Sequence, residues 1–389
     1  MYSRSLVAHF RAVTAFVVIV AGLTACGDLG QSAAPAQGRL SAPQPSAPAA
    51  PTTTSTAPTT TTTTTTAPAP TSTTVLVAAK DTVGPRPDEA TTTTLPPVPV
   101  YPLTGVENPD PVIAARPALV VKIDNAPPAR PQTGFNSADI VYEEIVNDNF
   151  TRFAMVFQSQ GSNPVGPIRS GRIQDIDLFT PYNHPLFAWS GGNKTVTDAI
   201  NASDLINIGP SRASVYFRSR DRRAPHNLYS TTDALWTRTP LYASPATQQF
   251  RYRPAGTPPA GTPSPGVAVS LDSIDVVWIW DPENGLYLRT MEGRAHIDAG
   301  SGQVSTNNVV VLAMNYLPGI SNSPDAQTIG RGEAFVLTGG NYIHATWSRP
   351  DKYTPIKLTA DDGSLVLLQQ GRTFIELPRV AATLVVPPG

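Results

Sequence analysis

Between Phe150 and Gln158 the chain alternates on a period of two. Phe150, Arg152, Ala154, Val156 and Gln158 oppose Thr151, Phe153, Met155 and Phe157. That pattern predicts a strand with one apolar face, and the strand also carries Arg152. Residues 118–124 (ALVVKID) and 140–146 are β-branched runs of strand length. Between them, Asn125-Ala126-Pro127-Pro128 and Pro131-Gln132-Thr133-Gly134 punctuate the chain. Ser170 is placed to cap a helix through Phe179, which Pro181 stops. Residues 185–190 then read as a buried strand ending in Gly191-Gly192, with a helix over about 195–201 after it. Strands interleaved with short helices make 101–245 an α/β domain.

Beyond the punctuated stretch 254–266 (PAGTPPAGTPSPG) the pattern changes. Short strands are predicted at 276–280, 286–291, 309–314, 334–337, 342–347, 365–368 and 373–376. Turns at Glu283-Asn284-Gly285, Gly339-Gly340-Asn341 and Asp361-Asp362-Gly363 separate several of them. Residues 246–389 therefore form a β-rich domain, expected as a curled sheet or small barrel. Periodicity leaves its strand order open. The fold class is α+β.

The first hundred residues follow other rules. Arg4 and Arg11 precede an apolar stretch at 12–22, and Leu23-Thr24-Ala25-Cys26 closes it with small residues. These are the parts of a secretory signal, 1–25, and its apolar run is shorter than the roughly 20 residues of a membrane span. The tetrapeptide Leu23-Thr24-Ala25-Cys26 looks like the lipobox at which bacteria attach a lipid to the cysteine thiol. Cys26 is the only cysteine, so once acylated it leaves none for disulfides, thiolate catalysis or zinc. Residues 26–100 are rich in Ala, Pro, Ser and Thr, with threonine unbroken over 59–66. Such a segment buries too little apolar surface to offset its ordering entropy and is read as a disordered stalk. The expected location is the cell membrane, lipid-anchored, on its extracytoplasmic face. Net charge is −1 at pH 7, which argues against a nucleic-acid partner.

Candidate chemistry gathers in the first domain. The turn Ser190-Gly191-Gly192 lies between a strand and a helix start, where backbone N–H groups can cradle an anion or merely turn the chain. Arg169 and Arg172, three apart on the expected helix start, can clamp a carboxylate or phosphate. They can equally pair internally with Asp124, Asp139, Glu143 or Glu144. From Arg218 to Arg223 there are four Arg and one Asp, including Arg222 and Arg223, a run that is as readily a solvated face as a site. His226, between Pro225 and Asn227, can orient its loop, donate to a ligand or carry a proton.

Other chemistry finds little support. There is no Walker lysine pattern and no Gly-x-Ser-x-Gly, so neither a nucleotide site nor a nucleophile elbow is indicated. A Ser190–His226–Asp124 triad requires the fold to bring those residues together. His184, His226, His296 and His344 lack paired metal spacing. No cofactor or metal is implied. Glu143 and Glu144 point to opposite faces of a strand. Trp278, Trp280 and Trp347 are expected in the core, with a sugar-stacking surface as the alternative.

Several runs appear in an order that marks a family. They include Pro102-Leu103-Thr104-Gly105, Val121-Lys122-Ile123-Asp124-Asn125, Arg130-Pro131-Gln132-Thr133-Gly134 and Ala138-Asp139-Ile140-Val141-Tyr142-Glu143. Gly166-Pro167-Ile168-Arg169-Ser170-Gly171-Arg172 and Ala224-Pro225-His226-Asn227-Leu228-Tyr229 follow, then His296-Ile297-Asp298 and Gly371-Arg372-Thr373-Phe374-Ile375. The chain resembles the YerB-like lipoproteins, whose domain of unknown function comes in two parts. The resemblance spans 101–389 and implies an envelope location and a shared fold, but no activity. One departure is Trp189, where relatives often place a histidine before the Gly-Gly turn. That counts against histidine chemistry at this turn.

The expected function is binding of an anionic envelope ligand, such as a wall glycan or peptide, or of an envelope protein partner. The alternative is a hydrolase or transferase of wall polymer using His226 with a carboxylate such as Asp124 or Glu143. Convergence of His226, Asp124 and Arg169 in one cleft favours the enzyme. His226 at a solvated loop tip favours binding.

Overall fold

All six residues of Leu119–Asp124 (β1) are buried, because this strand is covered on both faces. The computed structural model describes residues 99–107, 110–147, 150–382 and 384–387. Cys26, the leader and all of the stalk except residues 99 and 100 lie outside the described residues.

β1 pairs antiparallel with β3 (Phe150–Phe157) and parallel with β4 (Leu186–Ala188). β2 (Ile140–Asn147) lies on the other side of β3, and β5 (Ile206–Asn207) lies beyond β4. Four short helices belong to the same half: α1 (Pro111–Ala115), α2 (Gln174–Phe179), α3 (Lys194–Asn201) and α4 (Thr232–Trp236). α3 starts where Asn193 caps it, its side chain accepting from the Val196 N–H at 2.9 Å.

The C-terminal strands divide between two sheets instead of closing a barrel of their own. β6 (Gly266–Leu271), β7 (Ile274–Asp281) and β8 (Leu286–Met291) form the centre of a six-stranded sheet. β9 (Asn308–Leu312), β10 (Gly330–Thr338), β11 (Asn341–Arg349), β12 (Lys357–Ala360) and β13 (Thr373–Leu377) extend the first sheet. Its order is β12-β11-β10-β9-β13-β2-β3-β1-β4-β5, with a short strand at Thr262–Pro263 beside β11. The joint is parallel pairing of β2 with β13, Ile140 opposite Thr373 and Glu143 opposite Glu376.

Each face of this sheet has its own core. Leu119, Val121 and Ile123 pack with Val267, Val276 and Trp278 of the second sheet. Val120, Tyr142 and Val156 pack with Leu178, Phe179, Val196 and Ile200 of the helices. Each such apolar side chain contributes about 1.5–3 kcal/mol when fully buried, so both coverings are needed. Trp278 and Trp347 belong to these cores, and Trp280 packs against Tyr287 with ring centroids 4.7 Å apart and the planes tilted by 51°. At the β10–β11 hairpin, Gly339 and Gly340 have φ of 61° and 81°, as a primed two-residue turn requires.

Candidate functional site

The site forms where β1 ends. Segment 166–171 runs beside that end in extended form: the Asp124 N–H donates to Pro167 O at 3.0 Å and the Arg169 N–H to Lys122 O at 2.9 Å. The Ser190 N–H donates to Arg169 O at 3.0 Å, tying the end of β4 to the same segment. These bonds occupy the backbone from 167 to 169. The helix expected from Ser170 therefore begins only at Gln174, and Arg169 and Arg172 do not share a helical face.

The loop after Pro225 brings His226 back to this point. Its Nδ1 lies 2.7 Å from Asp124 Oδ2, and the same oxygen lies 3.2 Å from Arg169 Nε. Asp124 Oδ1 accepts from the Ala126 N–H at 3.1 Å, which fixes the carboxylate. Asp124, Arg152, Arg169 and His226 line a cleft of about 340 Å³, walled by Pro127, Pro128, Val146 and Phe150. A larger hollow of about 540 Å³, lined by Phe250, Ile356 and Leu365, has no acid or histidine in its lining.

Charge in the cleft is unbalanced. Arg152 donates from Nη1 to Ser170 O at 2.8 Å and makes no ion pair among the described residues. Burial pushes its guanidinium down to about 9, and Arg172 and Arg169 push in the same direction more strongly than Asp124 and Asp175 oppose them. Arg169 has its Nε buried with no hydrogen-bond partner, although Asp124 is near. Among the described residues two guanidinium groups thus face one carboxylate. An arriving anion relieves that imbalance.

Behind the cleft lies a buried polar chain. Thr151, on the cleft wall, donates to Glu143, and Asn125 Nδ2 donates to both Thr151 Oγ1 at 2.7 Å and Glu143 Oε1 at 3.2 Å. Glu143 pairs with Arg289, whose Nη1 meets His296 Nδ1 at 2.7 Å and whose Nε lies 3.4 Å from Glu376 Oε1. His296 is held neutral by burial and by Arg289. On the opposite face of β2, Glu144 pairs with Lys122, which also donates to Asp175 Oδ1 at 2.8 Å. Burial brings Lys122 down to about 8. Glu143 is therefore one side chain behind the cleft.

The remaining candidates are placed elsewhere. Arg172 turns to Ser323, with Nε 2.8 Å from its Oγ. Ser190, Gly191 and Gly192 do not line the cleft, and among the described residues no hydrogen bond joins Ser190 to His226. Arg222 donates to the carbonyls of Pro128, Arg130 and Pro131 at 3.0, 3.2 and 2.6 Å, pinning the loop that carries the proline wall. Asn227 donates to Ser219 O and Arg222 O, each at 3.1 Å, and holds the loop that presents His226. Arg223 is exposed. Trp189 is buried and donates to Asn207 Oδ1 at 2.8 Å, so this turn is filled by an indole. Arg152 was not among the expected site residues, although an arginine set within an apolar strand was the available signal. Among the described residues no group of three or more His, Cys, Asp and Glu is placed to hold a metal ion.

Comparison with known proteins matches both halves. Residues 103–242 match the model of the N-terminal domain of a protein of unknown function (DUF3048), and 267–375 match that of its C-terminal domain. The chain is 28% identical over 296 residues to "Putative lipoprotein YerB" of Bacillus subtilis, covering 71% of this chain and 85% of that protein. The crystal structure of the Bacillus subtilis YerB protein superposes with a TM-score of 0.65 at 22% identity, over 74% of this chain and 99% of the other. That structure shares the fold, including the arrangement of both parts. The chain belongs to the DUF3048 family, the YerB-like lipoproteins.

Proposed function

We propose that this protein is anchored by a lipid on Cys26 at the extracytoplasmic face of the membrane and binds an anionic group in the cleft at the end of β1. The observation that carries the reading is Arg152, a partly buried cation without an ion pair among the described residues, set beside Arg169. Arg169 is held by Asp124, and Asp124 also orients His226. A wall-glycan phosphate, a peptide carboxylate or an acidic envelope protein supplies the missing charge.

The test is thermal unfolding of the chain with muropeptides, wall glycans and anionic sugars. A ligand at a hundred times its Kd adds about 2.7 kcal/mol, which moves the melting temperature by several degrees. That rise is expected in the wild type and absent in Arg152→Ala and Arg169→Ala, with both variants still folded. No rise in the wild type, together with variants that melt lower, would make the arginines structural and overturn the reading.

A second reading is favoured by the convergence of His226, Asp124 and Arg169, the geometry expected of an enzyme. With Nδ1 engaged by Asp124, His226 has Nε2 free of hydrogen bonds among the described residues, the arrangement of a general base. Among the described residues no side-chain nucleophile accompanies it: Ser190 is outside the cleft and Thr151 is committed to Glu143. Hydrolysis would therefore use water. Turnover lost in His226→Gln while binding persists would put this reading first.

A further inference from the structure

Phe150 is 50% exposed and lies on the same cleft as the two arginines, with Pro127 and Pro128 beside it. The cleft thus has a charged floor and an apolar wall. Resting on the anion-binding reading above, we infer that its ligand is a phosphate ester of a sugar or polyol, the phosphate on Arg152 and Arg169 and the carbon framework against Phe150 and the prolines.

Three features decide the class. A carboxylate is satisfied by one guanidinium in a bidentate pair, whereas a phosphate has oxygens enough for two guanidinium groups. Here Arg152, Arg169 and His226 all line one small space. The volume of about 340 Å³ is at the low end for ligand sites, enough for one phosphorylated unit and too little for an acyl chain. The wall is short, with Phe150 half exposed beside Pro127 and Pro128, and flat C–H faces of a sugar settle on aromatic and proline surfaces of this kind. An inorganic anion would leave that wall unused.

The experiment is calorimetric titration of the chain with three matched probes: glucose 1-phosphate, inorganic phosphate and glucuronate. Glucose 1-phosphate is expected to bind at least tenfold more tightly than either of the others. Phe150→Ala, a change at an exposed side chain, is expected to bring it down to the level of inorganic phosphate and leave inorganic phosphate unchanged. Arg169→Ala is expected to abolish binding of both phosphates. Glucuronate binding as tightly as glucose 1-phosphate, with Arg169 still required, would overturn the inference and leave the anion-binding reading standing. Equal binding of the two phosphates, or no effect of Phe150→Ala, would do the same. Association with phosphatidylglycerol vesicles that needs Arg169, without binding of glucose 1-phosphate, would assign the cleft to a lipid headgroup and overturn it. Failure of all three probes and of the vesicles would overturn both.

Discussion

Arg289 is fully buried and faces two carboxyl groups, Glu143 and Glu376, with the rings of Phe153 and Phe374 around it. One guanidinium neutralises one carboxylate, so the other must hold a proton or leave a buried charge, which costs several kcal/mol. Burial pushes Glu376 up to about 8, with Glu143 adding to the rise and Arg289 and the Trp278 N–H opposing it. An unfolded glutamate titrates near 4.3, so between about pH 4.3 and 8 the folded chain keeps a proton that the unfolded chain has released. The contribution of Glu376 to stability is then complete below about pH 4.3 and is lost as pH rises toward 8. Glu376→Gln keeps the neutral shape and cannot ionise. Its melting temperature is expected to gain on the wild type as pH goes from 5 to 8, by calorimetry at matched ionic strength. A gap that stays constant would mean that Glu376 is ionised throughout. The sequence displayed Asp124, Arg169 and His226 as chemistry-bearing residues in named motifs. It could not reveal that Arg289 and Glu376 lie behind them, since that contact links strands far apart in the chain.

The loop from Pro127 to Pro131 shapes the cleft without touching an anion. Its conformation depends on Arg222, whose guanidinium takes three of its carbonyls, and on Arg130, whose Nε donates to Asn125 O at 3.1 Å. Arg222→Ala leaves those carbonyls to water at a cost of about 1 kcal/mol. Amide exchange over 126–132 is expected to accelerate in this variant, with little change in β1 and β3. Unchanged exchange would show that the prolines and Arg130 hold the loop alone. The charge run 218–223 was visible in the sequence, but its role was not. Periodicity describes faces of regular elements, and an arginine that fastens one loop to another leaves no period. By contrast the helix start at Ser170 was misplaced because the backbone just before it is tied to β1 and to the end of β4, a tertiary demand that local cap residues do not reveal. The β10–β11 hairpin was legible because two glycines with positive φ are what its turn needs.

One sheet crosses both family parts, and its joint is the pairing of β2 with β13. The pattern of the sequence changes near 254–266, yet the strands beyond it return to complete the first sheet and cover it with a second. Apolar runs such as Val309–Leu312 identify strands buried on both faces, while the identity of their neighbours is set by pairings remote in sequence. The cleft is therefore fixed by the whole assembly: β1 and β3 supply Asp124 and Arg152, and the polar chain behind Thr151 reaches into β8 and β13. Its central property is a pair of guanidinium groups facing one carboxylate among the described residues, and the proposed ligand is an anion. The most direct measurement is nitrogen NMR of the arginine Nε–H groups, assigned with single Arg→Lys variants, as inorganic phosphate is titrated into the chain. Saturable shifts of Arg152 and Arg169 in concert, with Arg222 unmoved, are the expected result. Shifts confined to the 218–223 run, or a linear response without saturation at Arg152 and Arg169, would contradict it.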